Sequence, residues 1–545
     1  MGHFLPALLI ATACTSTEPA DLLLHNGKIV TSDERFGLAE ALVVRGGYIV
    51  AVGGEEIASR YDPAQVIDLE GRTVIPGFID THTHIRGRSR RHLELAGVQS
   101  IAELQERVRA KAAELGEGEW ITGYGWSEDE LAEGRRPLRW DLDDAAPLNP
   151  VILTRAGGHS AVSNSRALTL AGIDENTPQP EGGVIEHDRN GRLNGVIRER
   201  AGLVSRMVPD ATEDEIEESL ARMLRDQLAL GITSLIQAGE TPEGYAMWER
   251  IYAARGEELP RATVQIRWVG SDRLAAFGRR TGDGDDRLRV GAVKVLVDGG
   301  FTGPAAYTRE PYKGQPGYRG SLNLPVEELY ALVDTANRLG WQLGFHAIGD
   351  SAIVLTVDAF AQALAAHPRD DHRHYLNHFT VSPPVGTLDR MAALGIAVAQ
   401  QPNFTYTLEG RYVANLEGDR LAHNNPLKLP MDRGVFMGLG SDILPIGPLV
   451  GVYAAVTRKG MSGEVYGPEE RLTMAEAITG YTRHAAWFTF EERTKGSLEP
   501  GKLADLVVLS DDLLTIDPER IMDVEVEMTV VGGKVLYRRP DTPRQ

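Results

Sequence analysis

The chain has a single cysteine, Cys14, among its 545 residues. One thiol excludes an intramolecular disulfide and a CxxC zinc site. Runs of Lys and Arg are also missing, and 77 acidic residues against 57 basic ones give a formal net charge of −20. Because binding to a phosphate backbone needs clustered cations, this composition argues against a nucleic-acid partner. No apolar run approaches the roughly 20 residues of a membrane-spanning helix.

Motifs of several common enzyme classes are absent as well. The chain has no Walker loop, no HExxH and no GxSxG, which argues against P-loop nucleotide hydrolases, HExxH metalloproteases and esterases of the α/β-hydrolase type. Hydrophobic residues at 42% and charged residues at 25% are close to the averages of globular proteins. We therefore expect a folded acidic protein whose chemistry depends on other residues.

The N-terminal segment has the form of an export signal. A short apolar run ends in small residues directly before Cys14, and this pattern is similar to the lipobox of bacterial lipoproteins, in which that cysteine is acylated. We therefore expect residues 1–20 to be a signal segment, and the protein to be exported, periplasmic and lipid-anchored through Cys14. A frayed tail with an incidental thiol, and a cytoplasmic protein, is the alternative, since Ala11 stands where lipoboxes carry Leu.

The two chain ends have the same sequence pattern. Residues 21–75 and 490–540 both contain short alternating strands separated by Gly-centred turns. Neither end has enough strands for a stable sheet alone, so we predict that they pair into one composite β-sandwich.

Between the ends, apolar strand patterns alternate with helical ones. Almost wholly apolar runs indicate parallel strands that are covered on both faces. Eight such strands with intervening helices predict an α/β fold, a (β/α)₈ TIM barrel over residues 76–489. A doubly wound open sheet is the alternative, although no GxGxxG follows an early strand. The strand candidates are 78–84, 231–237, 262–269, 291–298, 342–348, 374–379, 396–402 and 435–442.

The first and second of these strands are unusually far apart. The stretch between residues 84 and 231 is rich in Gly, Glu and Arg. We predict that it contributes an inserted subdomain at about 88–225. Loops at the carboxyl face of a barrel shape its active site, so we expect this insertion to lie over the barrel mouth.

The strongest local motif is the pair His82 and His84 at the end of the first strand. Residues two apart in a strand point the same way, so both imidazoles could share one metal ion. His346, His378 and Asp442 stand at the ends of later strands. A barrel brings these ends to one mouth, and such a nitrogen and oxygen donor set suits Zn²⁺ or a similar divalent ion.

Lys294 stands inside the fourth apolar strand. Burying an ammonium there is costly, whereas a lysine that loses its proton can act as a nucleophile. Pairing with a carboxylate such as Asp298 is an equally good explanation on the sequence alone.

Four segments together resemble the amidohydrolase superfamily, and more closely its third family, which includes N-substituted formamide deformylases. They are residues 77–84, 158–165, 181–185 and 496–506, and the likeness extends over the chain after residue 21. The resemblance implies one or two divalent ions. The implied ligands are His82 and His84 for a more buried ion, His346 and His378 for a more exposed one, and an N6-carboxylated Lys294 that bridges both.

The resemblance also implies catalytic roles. Asp442 would contact the buried ion and accept a proton from the attacking water, and His159 would contact the carbonyl oxygen of the substrate. For His159, a loop histidine that caps local backbone is the alternative. We treat His372, His374 and His423 as surface or supporting residues.

We therefore expect a metal-dependent hydrolase of C–N bonds in small amides, of the amide, N-acyl or N-formyl type. A deaminase or cyclic-amide hydrolase on the same scaffold, and an anchored binding protein without turnover, stay open. A homodimer is the commonest assembly for such a chain. Substrate choice depends on loop residues, for which Trp126, Tyr307 and Phe404 are candidates.

Overall fold

A computed structural model describes residues 17–540 except 129, 157 and 443–445. Cys14 and the proposed signal segment lie outside the described residues. The chain divides into two compact units, one formed by Arg86–Met223 and the other by the residues before and after it. In the described part of the chain, no helix is both long enough and apolar enough to cross a membrane.

The strands of the described residues are short, and most have three to six residues. In chain order they are β1 Glu18–His25, β2 Lys28–Val30, β3 Leu38–Ala39, β4 Ala41–Arg45, β5 Tyr48–Gly53, β6 Tyr61–Asp68, β7 Thr73–Pro76, β8 Phe78–Thr83, β9 His92–Glu94, β10 Ile121–Trp126, β11 Val151–Arg155, β12 Ser160–Ser163, β13 Val184–His187, β14 Leu193–Arg198, β15 Ile232–Glu240, β16 Arg261–Arg267, β17 Leu288–Lys294, β18 Gly344–Ala347, β19 Tyr375–His378, β20 Ala397–Gln400, β21 Met437–Leu439, β22 Leu506–Leu509, β23 Val526–Val531 and β24 Lys534–Arg538.

The α-helices of the same residues fall mainly between the later strands. They are α1 Ile101–Leu115, α2 Arg139–Ala145, α3 Ser165–Leu170, α4 Gly202–Ser205, α5 Glu213–Asp226, α6 Pro242–Arg255, α7 Ser271–Phe277, α8 Val326–Arg338, α9 Asp350–Ala366, α10 Val385–Leu394, α11 Asn403–Thr407, α12 Glu409–Asn415, α13 Gly418–Ala422, α14 Lys428–Asp432, α15 Pro448–Thr457, α16 Met474–Gly480 and α17 Arg483–Trp487. Short 3₁₀ helices occupy Glu55–Arg60, Gln227–Leu230, Gly256–Glu258, Pro468–Glu470 and Pro518–Asp523.

The two chain ends build two sheets. The first has the order β5-β4-β1-β6 and contains N-terminal strands, and the second has the order β24-β23-β22-β7-β2-β3 and combines strands from both ends. In the second sheet, β7 from the N-terminal region pairs antiparallel with β22 from the C-terminal region. Buried aliphatic side chains of both sheets, including Leu24, Val44, Leu506 and Val530, pack into one core. The two ends of the chain are therefore held together by backbone pairing and by a shared apolar interior.

Eight strands in the middle of the chain run parallel in two four-stranded sheets. One sheet has the order β17-β16-β15-β8 and the other β18-β19-β20-β21. Isolated parallel bridges connect the sheets on both sides: Val293 pairs with Leu343, Leu296 with His346, and Thr83 with Asp442. Each predicted apolar run overlaps one of these eight strands, and the fold is α/β.

Continuous burial explains why these strands were visible in the sequence. All six residues of β8 and all four of β19 and β20 are buried, as expected for strands that are covered on both faces. The helices between them show one buried face; in α8 that face includes Leu329, Leu332, Val333 and Ala336.

The unit Arg86–Met223 contains its own six-stranded sheet, in the order β13-β14-β12-β11-β10-β9. Helices α1 and α2 pack on it through an apolar cluster that includes Leu104, Val108, Leu142 and Leu153. Ser100 caps the first of these helices, since its side chain accepts a hydrogen bond from the Glu103 amide.

Candidate metal centre

The end of β8 and the segment after β21 bring three predicted ligands together. The Asp442 amide donates a 2.7 Å hydrogen bond to the carbonyl oxygen of His82. This contact holds the Asp442 side chain beside the two histidines. Ligand atoms of His82, His84 and Asp442 lie within 4.8 Å of one another, and His84 Nε2 is 3.6 Å from Asp442 Oδ1. A single divalent ion could therefore contact all three side chains.

The other three predicted ligands border the same cluster. The rings of His82 and His378 have centroids 4.7 Å apart, and those of His346 and His378 are 4.5 Å apart. The Nζ atom of Lys294 lies 3.5 Å from His82 Nε2, and His378 Nδ1 is 3.8 Å from Asp442 Oδ2. All six candidate ligands named from the sequence are thus neighbours in space.

Two carboxamides orient the histidine rings. Asn377 Oδ1 is 2.7 Å from His82 Nδ1, and Gln401 Oε1 is 2.7 Å from His378 Nδ1. Each ring therefore donates its Nδ1 proton to an amide oxygen, which leaves Nε2 with a lone pair for a metal ion. Neither amide was predicted from the sequence. Asn377 directly precedes His378 in a buried strand, and a buried polar side chain next to a ligand was the available signal.

A third missed residue is Asp80, two positions before His82. Its Oδ1 atom accepts hydrogen bonds of 3.0 Å from the backbone amides of His82 and Ser441. It thereby connects β8 to the residue that precedes Asp442. Burial raises the pKa of Asp80 to about 7, although these hydrogen bonds oppose the rise. A carboxylate in the middle of an apolar strand was the sequence signal.

The surroundings of Lys294 do not include the ion pair with Asp298 that the sequence allowed. Asp298 does not pair with it, because the Asp298 carboxylate accepts hydrogen bonds from the amides of Tyr307, Ile348 and Gly349. Burial lowers the pKa of Lys294 to about 7, and nearby Arg267 adds to this while the charge of Asp442 opposes it. The amine is thus poised to lose its proton near neutral pH.

The histidines are also held in their neutral form. Burial lowers the pKa of His82 and His378 well below the ordinary 6.5. It lowers the pKa of His346 to about 3, and the charge of Lys294 adds to the effect. Neutral imidazoles are the form that binds metal ions.

Two predicted ligands have an unusual backbone conformation. His378 has a φ angle of 77° and Asp442 a φ angle of 63°. Such angles are costly for residues with a side chain, and they cluster at functional sites. The surrounding contacts hold these two side chains in place at the cost of local strain.

These residues fit a divalent ion. Imidazole nitrogens with a carboxylate oxygen are the donor set of zinc and related ions. Among the described residues, the buried Nε2 atom of His346 has no hydrogen-bond partner. Leaving such an atom without a partner is unfavourable, and a metal ligand bond removes the cost.

A cavity of about 280 Å³ adjoins this cluster. His84, His346, His378 and Asp442 form part of its wall, and Phe404 forms another part. The ring of Phe404 stacks on His378 with the planes at 8° and the centroids 6.0 Å apart. A small molecule in this cavity would face the candidate ligands directly.

Comparison with known proteins identifies the family. The family model described as the amidohydrolase family matches residues 65–537. The chain belongs to the amidohydrolase family.

This amidohydrolase is 31% identical over 550 residues to the N-substituted formamide deformylase of Arthrobacter pascens, a match that covers 96% of this chain and 99% of the relative. It is 30% identical over 533 residues to YtcJ of Bacillus subtilis (strain 168), provisionally named an amidohydrolase, with 94% and 99% covered. The crystal structure of an uncharacterized metal-dependent hydrolase from Pyrococcus horikoshii OT3 matches with a TM-score of 0.70 at 26% identity, over 91% of this chain and 99% of that one. These likenesses support a hydrolase with a candidate His-His-Asp metal site.

Other candidate residues of the amidohydrolase lie as follows. His159 belongs to the unit Arg86–Met223, where its exposed ring has Nδ1 at 3.2 Å from Glu199 Oε2. Trp126 is fully buried in the core of that unit and donates to the Leu153 carbonyl. A residue so enclosed cannot contact a substrate, so its candidacy for substrate choice was wrong. Tyr307 is half-buried and does not line the cavity that Phe404 borders.

Of the remaining histidines, His423 lies at the surface near Asp419 and Glu469, as expected. His374 is fully buried, so of the two roles predicted for it, the surface one is wrong. Its Nδ1 atom accepts a hydrogen bond from the Leu343 amide, and its Nε2 atom donates to Asn337 Oδ1. It therefore has a structural role between neighbouring elements of the fold.

Proposed function

We propose that the protein is a metal-dependent hydrolase of C–N bonds in small amides, of the amide, N-acyl or N-formyl type. The observation that carries the proposal is the cluster of His82, His84 and Asp442, whose ligand atoms lie within 4.8 Å of one another beside the buried Lys294. The likeness to an N-substituted formamide deformylase over nearly the whole chain supports the choice of bond.

The metal ligands in this proposal are the six residues predicted from the sequence. By the family resemblance, His82 and His84 would hold a more buried ion and His346 and His378 a more exposed one, with Asp442 as a further ligand of the first. We propose Zn²⁺ as the ion, on the basis of the donor set. When bound, the ions supply Lewis acidity, which polarises the scissile carbonyl and makes water a better nucleophile at neutral pH.

Lys294 is proposed to be N6-carboxylated. Its uncharged amine would attack CO₂, forming an N–C bond and releasing one proton, and the resulting carbamate would offer two oxygens to the ions. The position of its Nζ atom beside His82 supports this proposal. Without the modification, Lys294 would be a buried amine beside metal ligands, where a bound cation would repel its protonated form.

Asp442 is proposed to move the proton of the reaction. Its carboxylate stands at the cavity wall beside His84 and His378, where it can accept a proton from water and return it to the leaving amine. His159 is proposed to contact the carbonyl oxygen of the substrate. This role is based on the resemblance of residues 158–165 to the family.

The proposal extends to the architecture and the location. We infer that the eight parallel strands close into a (β/α)₈ barrel, which the bridges between the two parallel sheets support. We also infer that the end strands form a composite sandwich, which their shared apolar core supports. Export with a lipid anchor at Cys14, a small-molecule amide as the partner and assembly as a homodimer are parts of the same proposal.

Metal analysis of the purified protein together with a substrate panel tests this function. The panel contains N-formyl amines, N-acetyl amines, a cyclic amide and an aminopurine. We expect one or two equivalents of a divalent ion and release of an amine from the first two groups. Ammonia release from the aminopurine alone would indicate a deaminase, and bound metal without any turnover would indicate a binding protein.

The variants Lys294→Ala and Asp442→Ala test the site. Each is expected to lower turnover about 100-fold or more, because the first removes a proposed metal ligand and the second removes the group proposed to move the proton. A thermal unfolding curve close to that of the wild type would show that the fold is retained. His367→Ala is the matched control, since this histidine is well exposed and pairs with Asp334 at 3.5 Å. Wild-type rates in either site variant would contradict the assignment.

A further inference from the structure

The cavity beside the metal cluster is apolar away from the ligands. Its remaining wall consists mainly of Leu296, Phe301, Ile348, Phe404, Leu408 and Tyr412. Among the described lining residues there is no Lys, no Arg and no Glu, and the acidic residue present is the candidate ligand Asp442. A cavity of this kind recognises its ligand by shape and by removal of apolar surface from water.

Leu296 gives the clearest sign of an apolar ligand. It is 49% exposed, although it follows a buried strand and forms a bridge with His346. An aliphatic side chain exposed inside a concave site loses its contact with water when an apolar group binds there. Its bridge to His346 places that surface next to the metal ligands.

The aromatic part of the wall is closely packed. Phe404 and Phe301 are almost fully buried, and Phe404 stacks on the ring of His378. Phe301 packs edge-on against Tyr412 with centroids 5.6 Å apart. Because these rings are already held in place, an apolar substrate group can bind against them without ordering loose side chains.

We propose that the substrates are uncharged amides that carry one compact apolar group, which binds against Leu296, Phe301, Phe404 and Leu408. This inference rests on the proposed function and names its substrate class. The volume of about 280 Å³ lies at the lower end of ligand pockets, which suits a single ring or a branched alkyl group.

The same wall selects against substrates with a carboxylate. No lining cation among the described residues could pair with a substrate carboxylate, and an unpaired charge is costly to bury. A carboxylate could find a partner at the metal cluster, where it would compete with the scissile carbonyl. N-acyl amino acids are therefore expected to be poor substrates.

A matched pair of substrates tests this inference in the intact protein. N-formyl-2-phenylethylamine and N-formyl-phenylalanine differ by one carboxylate. We expect kcat/KM for the uncharged compound to be higher by about 100-fold or more, given the cost of burying an unpaired charge. In addition, a ring-free compound, N-formyl-methylamine, is expected to be hydrolysed at least about tenfold less efficiently than the phenyl compound.

Leu408→Arg is the variant that changes the selection. It supplies a cation at the wall, so the preference for the uncharged member of the pair should fall at least about tenfold. Leu408→Met keeps the volume and the apolar character and should keep the preference. Val66→Arg adds the same charge on an exposed strand of the end sheets and should leave both rates unchanged. Thermal unfolding curves show whether each variant is folded.

The outcomes separate the two levels of the proposal. Equal or better hydrolysis of N-formyl-phenylalanine by the wild type would overturn the substrate class while the amidase activity stands. An unchanged preference in folded Leu408→Arg would also overturn the assignment of this wall. Failure to hydrolyse any amide in either panel would refute the proposed function, and the substrate class with it.

Discussion

Replacing Asn377 with leucine removes the amide oxygen that accepts the Nδ1 proton of His82. Both side chains are fully buried, and the hydrogen bond between them is 2.7 Å long. The Nδ2 atom of Asn377 has no partner among the described residues. The substitution therefore costs one hydrogen bond and also removes one unsatisfied polar atom. Leucine has a similar volume, so the packing around the strand should change little.

The expected effect is on metal affinity. Loss of a hydrogen bond that orients a metal-ligating histidine typically weakens metal binding by about 10- to 100-fold, which corresponds to about 1.4 to 2.8 kcal/mol. The decrease in the free energy of unfolding is expected to be smaller. The substitution leaves the Nδ1–H group of His82 unpaired, but it also removes the unpaired Nδ2 atom of Asn377, which compensates in part. Competition titration with a chelator measures the first quantity, and urea unfolding of the metal-free protein measures the second.

Asn337→Leu is a matched control for this prediction. Asn337 Oδ1 accepts a hydrogen bond from His374 Nε2 at 3.1 Å, which is the same kind of contact outside the metal cluster. This variant should unfold more easily without a change in metal affinity. If Asn377→Leu bound metal as tightly as the wild type, or if both variants weakened binding equally, then Asn377 would not orient a ligand.

Two further predictions concern stability. Burial lowers the pKa of His374 well below the ordinary 6.5, and protonation of its Nδ1 atom would break the hydrogen bond that this atom accepts from the Leu343 amide. The contribution of His374 to the free energy of unfolding should therefore be complete above pH 6.5 and decrease below it, because the unfolded chain takes up a proton that the folded chain does not bind. Melting temperatures between pH 8 and 5 check this, and an equal slope in His374→Gln would contradict it. Arg261 and Asp505 form a 2.7 Å ion pair with both side chains 4% exposed. Asp505→Asn should lower the free energy of unfolding by about 3 to 5 kcal/mol, measured by urea unfolding at neutral pH. A loss below about 1 kcal/mol, as for a surface pair, would show that this ion pair does not determine the stability of the fold.

Much of the fold could be predicted because buried strands appear in the sequence as continuous apolar runs. The eight parallel strands are mostly buried and rich in apolar residues. His82, His84, His346, His378 and Asp442 stand at or just after the ends of four of them, so position along the strand singled out these candidate ligands. The residues that orient those ligands were not predicted. Asn377 is a polar residue beside a ligand in a buried strand, but its role, like that of Gln401, is defined only when neighbouring strands place the amide oxygens against imidazole nitrogens. A single sequence does not contain that pairing.

His374 shows why position along a strand matters. The sequence His372-Arg373-His374 has the same spacing as His82-Thr83-His84, yet it directly precedes β19, whereas the second motif lies at the end of β8. His374 therefore bonds to Asn337 and Leu343, whereas His378 at the other end of the strand reaches the metal cluster. Which end of a strand carries a side chain was thus more informative than the motif itself.

The pairing of β7 with β22 has a consequence for synthesis of the chain. Residues 73–76 leave the ribosome more than 400 residues before the strand that completes their ladder. Until then, the early strands have an open edge, which invites association with other chains. Loss of the last few dozen residues would leave that edge exposed permanently, so carboxyl-terminal truncation should produce aggregates and not a smaller working enzyme.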